Sequence, residues 1–175
     1  IVDYNSEFQE DFFKKYNLHE ITIILLQKGE PVQIPLTGHC MKPLLEENDL
    51  ITINPIDSTQ LRCGDVVIYH INGRLKAHRF LKLKNLNGQK YLITKSDRRA
   101  NFDRPVPIND FLGRIRRVTK GKKNIDYETR KWRFINFFIA KLSPYIWIIE
   151  LIMKFFRKQF RRVMGHFTLL FMIAK

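Results

Sequence analysis

The sequence predicts a mainly β protein, with a short helical segment before a compact β core and a basic, amphipathic helical tail after it. Short apolar runs broken by turn residues begin at Val32, and no helical pattern interrupts them. Two Asn-Gly pairs, Asn72-Gly73 and Asn87-Gly88, separate such runs in the way that β-hairpin turns do. After Gly121 the spacing of the apolar residues becomes helical.

The first segment, residues 1–31, is expected to be helical. Residues 6–17 are amphipathic, with Ser6 as the predicted N-cap. Residues 19–28 contain a β-branched run that favours a strand, but Gly29 directly after them is typical of a helix stop. We therefore favour a helix for residues 19–28.

The β domain is expected to span residues 32–120. In the second of the two expected hairpins, which turns at Asn87-Gly88, residues 81–86 form the first arm and continue the strand before them. The expected strands cover residues 32–36, 50–53, 66–70, 75–83, 91–95 and 112–119.

The tail, residues 121–175, contains most of the excess charge. Residues 114–175 hold 16 Lys and Arg against three acidic residues, whereas residues 1–113 are nearly balanced at 15 to 14. One helix is expected over residues 129–142 and a second from 145 to about 164. The apolar stripe predicted for the first helix consists of Trp132, Ile135, Phe138, Ile139 and Leu142.

A basic, aromatic, amphipathic helix of this kind favours a membrane interface with anionic head groups. The alternative is that its apolar side packs on the β core while the basic side is solvated. The longest stretch without charged residues, 163–174, is shorter than the roughly 20 residues of a spanning helix. We expect membrane association, either peripheral or through a segment upstream of Ile1, with a cytoplasmic location as the alternative. No nucleic-acid partner is expected, because the tail lacks a recognisable binding signature.

The segment from Gly38 to Pro43, Gly-His-Cys-Met-Lys-Pro, contains a candidate nucleophile, Cys40. A glycine beside a nucleophile lets a substrate backbone come close, and the proline fixes the chain after it. The alternative is that Cys40 is a small buried apolar residue. The chain has two cysteines, Cys40 and Cys63, which do not form a disulfide scaffold and are both expected to be reduced.

A thiol with an ordinary pKa needs a base at neutral pH, and His78 on a predicted strand is the candidate. Asp97 and Asp103 flank the loop after the next strand, and either carboxylate could orient the imidazole. The alternatives are a structural strand histidine, a turn-forming Asp97, and an Asp103 that pairs with a neighbouring arginine. The Cys40 amide and a neighbouring amide or hydroxyl would stabilise an oxyanion. No paired Cys or His spacing indicates a metal, and no cofactor is expected.

These segments together resemble the conserved boxes of signal peptidase I and the related self-cleaving SOS-response repressors, over about residues 32–118. The first segment resembles the Gly-x-Ser-Met-x-Pro box, and Ala77-His78-Arg79 falls where the endoplasmic-reticulum and archaeal branch has His-Arg. Residues 94–103 are similar to the Thr-Lys-Gly-Asp loop of that branch. Residues 48–53, 63–69 and 111–115 resemble the remaining boxes.

The resemblance implies a β-rich peptidase fold with Cys40 in the position of the nucleophilic serine, His78 as the base and Asp103 as the assisting acid. It aligns Asp97 with the Asp of the Thr-Lys-Gly-Asp loop, in which Ser96 replaces the glycine. The substrate is expected to contact Gly38, Met41 and Pro43.

The expected function is therefore a signal-peptidase-like endopeptidase that cleaves a signal or leader peptide. The partner would be a peptide or preprotein that lies extended beside a β-strand, with small residues before the cut. One alternative is a catalytically altered or inactive member that binds peptides as a scaffold. Another is a self-cleaving regulator.

Overall fold

The computed structural model describes residues 18–99 and 101–145. This part of the chain forms an eight-stranded antiparallel sheet with two helices, which confirms the mainly β prediction. The helix expected over residues 6–17 and the second tail helix lie outside the described residues.

The elements follow one another closely, and the favoured helix over residues 19–28 is present. Short 3-10 turns occur at Ser58–Gln60, Ile108–Asp110 and Ser143–Tyr145. The helices and strands are α1 (Leu18–Gln27), β1 (Val32–Pro35), β2 (Leu50–Asn54), β3 (Val66–Ile71), β4 (Arg74–Leu86), β5 (Gln89–Lys95), β6 (Val106–Pro107), β7 (Phe111–Lys120), β8 (Lys123–Asp126) and α2 (Arg130–Leu142).

The strands lie in the order β1-β2-β7-β3-β4-β5-β6, and β8 also pairs with β7. All of the expected strands are present. Asn72 and Asn87 have positive φ angles of 51° and 50°, and the glycine after each is also left-handed, as the hairpin signals predict. Two strands were not predicted: the two-residue β6 and the polar β8, which extends the sheet beyond residue 120.

Strand β4 has two partners along its length. Its first part, from Arg74 to Arg79, pairs with β3, and β5 pairs with it only from Arg79 onward. Among the described residues, the edge of β4 opposite β3 is therefore unpaired from Arg74 to His78.

Apolar residues cover both faces of the sheet, because successive side chains of a strand point to opposite sides. Val66 and Ile68 of β3 belong to the larger cluster, together with Leu26 of α1. Val67 and Tyr69, the alternate residues of β3, belong to the smaller one.

Helix α2 packs on the sheet through a side that overlaps the predicted stripe only in part: Trp132 packs against the larger core, and Ile135 and Ile139 are half-buried. Its buried residues are Asn136 and Ala140, while Phe138 and Leu142 of the predicted stripe are 44% and 56% exposed. The reason is a close approach at Gly64, where an added Cβ would lie 2.6 Å from the backbone carbon of Asn136. The helix backbone is too close to the sheet at this point for a large side chain, so Asn136 and Ala140 face the sheet there, while Trp132 packs against the core at the start of the helix.

None of the helices in residues 18–99 and 101–145 combines the length and apolarity that crossing a bilayer requires.

Candidate active site

Cys40 lies in the turn between β1 and β2, held from outside by the loop after β5. Its carbonyl accepts hydrogen bonds from the Ser96 hydroxyl at 2.6 Å and from the Arg98 amide at 3.2 Å. Its Sγ lies 3.9 Å from the carbonyl oxygen of Ala77, on the unpaired part of β4. Gly38 has a φ of +89° and open space where a Cβ would be, so the approach to the turn is unobstructed.

His78 and Asp103 form the second half of the site. Nδ1 of His78 lies 2.6 Å from Oδ2 of Asp103, and the Thr94 hydroxyl donates to the same oxygen at 2.8 Å. The Asp103 amide donates to the Thr94 carbonyl at 3.0 Å, which fixes the loop against β5. Because Asp103 holds Nδ1, Nε2 is the ring nitrogen left to exchange a proton with the thiol.

The pKa values of these groups move in opposite directions. A hydrogen bond with His78 lowers the pKa of the Cys40 thiol, although burial opposes it. Burial also opposes protonation of His78, but Asp103 and the neighbouring sulfur raise its pKa to about 9. The pKa of Asp103 is lowered despite its burial, because His78 and Thr94 stabilise the carboxylate. Together these shifts favour a thiolate, an imidazolium and a carboxylate.

The second cysteine differs in its surroundings. Burial raises the pKa of Cys63, and both cysteines are free. A thiolate is the nucleophilic form of cysteine, so the environment of Cys40 activates its thiol while that of Cys63 does not.

Asp97, expected as a further catalytic residue, lies away from His78. Its carboxylate forms a bidentate ion pair with Arg79, with distances of 2.7 and 2.6 Å, and both side chains are buried. The same guanidinium donates to the Gly64 carbonyl at 2.8 Å and to the Asn136 side chain at 3.0 Å. Asp97 therefore anchors the loop and helix α2 through Arg79. It does not contact the imidazole, because Arg79 and His78 are consecutive residues of β4 and their side chains point to opposite faces of the sheet.

The three residues expected to contact substrate have different surroundings. Met41 is 1% exposed and belongs to the larger hydrophobic core, so its side chain is not available to a substrate. Cys40, the residue before it, packs against the same core but is only half-buried. Pro43 is exposed, and Gly38 leaves open space beside Cys40.

Tyr69 is a site residue that the sequence analysis missed. Its hydroxyl lies 3.0 Å from Nδ1 of His78, and its ring contacts the imidazole edge-on. The predicted hairpin could have indicated Tyr69, because the Asn72-Gly73 turn places it opposite Lys76, two residues before His78.

Three cavities surround this centre. A cavity of about 120 Å³ beside Cys40 is mainly apolar, with walls that include Leu36, Ile68 and Ala77. A cleft of about 690 Å³ is lined by Tyr69, Asp103 and several cations, and another of about 460 Å³ contains Cys40 itself. Within the described residues, no group of three His, Cys, Asp or Glu side chains is placed to hold a metal ion.

No protein-family model matches the chain, and a search of curated proteins finds no relative. The fold and the site geometry therefore define the class of site by themselves: a Cys-His-Asp constellation on the edge of an antiparallel sheet. A thiolate beside an oriented imidazolium can attack a carbonyl and then protonate a leaving group.

Proposed function

We propose that this protein is a signal-peptidase-like endopeptidase with a cysteine nucleophile. The observation that carries the proposal is the arrangement of Cys40, His78 and Asp103, in which the thiol interacts with an imidazole whose Nδ1 lies 2.6 Å from the carboxylate. The family resemblance assigns the same three residues to the same three roles.

In the first step the Cys40 thiolate attacks the scissile carbonyl carbon and a carbon–sulfur bond forms. The Cys40 amide stabilises the resulting oxyanion, while the Ser96 hydroxyl is engaged with the Cys40 carbonyl. The intermediate collapses as the carbon–nitrogen bond breaks, and His78 gives its Nε2 proton to the leaving amine.

In the second step water attacks the thioester, and the neutral His78 accepts a proton from that water. The carbon–sulfur bond breaks, the peptide acid leaves, and the thiolate and imidazolium are restored. Asp103 keeps the imidazole oriented and stabilises its charged form in both steps.

The open edge of β4 supports an extended peptide as the substrate. Residues from Arg74 to His78 lack a partner on that side, and Cys40 lies against the carbonyl of Ala77 in this stretch. A peptide strand added there would pass the thiol with alternate side chains directed toward the protein. The cavity of about 120 Å³ would receive one apolar side chain, such as those common in signal and leader peptides.

We also propose that α2 and the basic tail bind an anionic bilayer. The outward face of α2 carries Phe134, Phe137 and Phe138, which are 41–63% exposed, and the Lys141 ammonium lies 5.6 Å from the Phe137 ring centre. Aromatic side chains followed by a basic sequence suit the boundary between acyl chains and anionic head groups.

Liposome co-sedimentation of the full chain tests the membrane proposal. The Phe134→Gln/Phe138→Gln variant should lose most of its binding to phosphatidylglycerol vesicles, whereas Leu83→Gln, at an exposed site on β4, should bind normally. Equal binding by all three proteins would refute it. Truncation after Gly121 is unsuitable, because Asn136 and Trp132 of α2 pack on the sheet.

A peptide-cleavage screen with the wild type, Cys40→Ala and Cys40→Ser tests the catalytic proposal. The wild type should cleave a subset of peptides, Cys40→Ala none, and Cys40→Ser the same subset more slowly. A non-catalytic scaffold would bind peptides but cleave none. Cleavage of the chain itself, without turnover of added peptides, would indicate a self-cleaving regulator.

A further inference from the structure

The clefts beside the reaction centre have a strongly positive lining. Lys76, Arg99 and Arg104 line the cleft of about 690 Å³, and Arg98 and Arg99 line the one that contains Cys40. All four side chains are exposed. Residues 1–113 are nearly balanced in charge, yet four of their cations lie in these two clefts.

Within residues 18–99 and 101–145, none of these cations lies within 4 Å of a carboxylate oxygen, although Lys76 acts on the Asp103 carboxylate at longer range. Other cations of the sheet and α2, such as Lys120, Arg114 and Arg133, form ion pairs. The acidic residues next to the arginines in the sequence are already engaged, since Asp97 pairs with Arg79 and Asp103 with His78. Four unpaired cations in adjoining clefts raise the local concentration of anions.

The backbone of the loop that carries Arg98 and Arg99 is anchored beside Cys40. The amide of Arg98 donates to the Cys40 carbonyl, so the arginines emerge from a loop bonded to the nucleophile's own turn. Cys40 lines both the apolar cavity and the arginine-containing cleft, and Lys76 lines both the apolar cavity and the larger cleft. A peptide over Cys40 would therefore extend from an apolar environment into a cationic one.

We propose that this cleft selects peptides that carry Asp or Glu beside the scissile bond, on the side away from the residue in the apolar cavity. Arginine recognises carboxylates well, because its planar fork can donate two parallel hydrogen bonds. The inference rests on the proposed function and adds to it a substrate class: leader peptides with an apolar residue followed by an acidic segment.

Fluorescence polarisation with the full-length Cys40→Ala variant measures this selection without cleavage. The probes are synthetic decapeptides with one apolar core followed by two Glu, two Gln or two Lys residues. The Glu peptide should bind about tenfold or more tightly than the Gln peptide at low ionic strength, and the ratio should fall as salt is added. Adding Arg99→Glu should abolish the preference for Glu.

Lys84→Glu is the matched control, because it changes the net charge equally at an exposed position on β4 remote in sequence from the cleft loop. Equal binding of the Glu and Gln peptides would overturn the proposal. So would an equal loss of preference in the Lys84→Glu and Arg99→Glu variants, or displacement of the Glu peptide by an oligonucleotide but not by an excess of unlabelled Glu peptide.

A failure of the proposed acidic selectivity can be distinguished from a failure of the proposed peptidase activity. Selective binding of Glu peptides without cleavage by the wild type would refute the peptidase while leaving the acidic selectivity intact. Cleavage of Glu, Gln and Lys peptides at equal efficiency would refute the acidic selectivity while leaving the peptidase proposal intact.

Discussion

His78 and Arg79 are consecutive residues of β4, yet their side chains bind two different carboxylates on opposite faces of the sheet. His78 contacts Asp103 at 2.6 Å, and Arg79 forms its bidentate pair with Asp97. One carboxylate thus belongs to the candidate active site and the other to the packing of the loop and α2. Substituting each by its isosteric amide should separate the two roles.

Asp97→Asn should lower the free energy of unfolding by about 3–5 kcal/mol, because it leaves the buried Arg79 guanidinium without its charge partner. Urea denaturation followed by tryptophan fluorescence measures the loss. Asp103→Asn is the matched control and should cost clearly less stability, since Asp103 is only partly buried. Equal losses would contradict the structural assignment of Asp97.

Asp103→Asn should instead reduce cleavage about 100-fold or more, because the imidazole loses the group that orients and charges it. The comparison is made on folded protein at a temperature where the variant and wild type are both native. If Asp97→Asn reduced cleavage more than Asp103→Asn did, the roles given to the two residues would be reversed.

Cys40 should react with iodoacetamide about tenfold or more faster than Cys63 at pH 7. The pKa of Cys40 is lowered by His78 whereas that of Cys63 is raised by burial, so the thiolate fractions differ. Mass spectrometry of partially labelled protein gives both rates in one sample. His78→Ala should slow only Cys40, and equal rates in the wild type would rule out an activated thiol.

The cleavage rate should have a broad, bell-shaped pH dependence. The rate falls on the acid side as Cys40 becomes protonated, at a pH below the ordinary thiol pKa. It falls on the alkaline side as His78 loses its proton, near pH 9. Asp103→Asn should move the alkaline limb toward the ordinary imidazole pKa of about 6.5. An alkaline limb that stays in place in this variant would contradict the interaction.

Gly64→Ala should destabilise the protein by more than 2 kcal/mol, a rough value for strain plus a clash. Gly64 has a φ of +104°, and a Cβ there would meet the backbone of Asn136. Gly88→Ala is the control: its φ is +78°, but open space surrounds the position, so only the backbone strain of about 1 kcal/mol remains. Thermal unfolding of the two variants should differ accordingly, and equal melting temperatures would argue against a close contact between α2 and the sheet.

The features that the sequence predicted well are those encoded locally. The Asn-Gly turns fix the hairpins through their left-handed backbone, and alternating apolar residues identify the long strands. Strand β8 was missed because it is polar, and because Gly121 was interpreted as the end of the β domain whereas it lies in the tight turn that joins β7 to β8. The apolar stripe of α2 was wrong in part, because the contact at Gly64 turns Asn136 and Ala140 toward the sheet and leaves Phe138 and Leu142 exposed, although Trp132 of the stripe packs on the core.

The candidate site could likewise be predicted from the sequence only in part. Cys40 and His78 could be chosen from residue chemistry, turn context and family resemblance. Residue chemistry alone left Asp97 and Asp103 open, and only the family resemblance favoured Asp103 as the partner of His78. Both carboxylates lie on one loop, and the pairing of Arg79 with Lys95 decides which of them faces which side. The cationic clefts depend on which arginines stay unpaired after folding, and no local pattern encodes this.

The loop between β5 and β6 contacts every part of the candidate site. Ser96 bonds to the turn that holds Cys40, and Asp103 bonds to His78. Asp97 pairs with Arg79 in the core, and Arg98 and Arg99 line the clefts. Under the proposed function, this single stretch of about ten residues would determine both the catalytic rate and the substrate preference, so the two would be inherited together. A new specificity could arise there by exchange of the arginines alone, provided that the residues that anchor the loop, Ser96, Asp97 and Asp103, are kept.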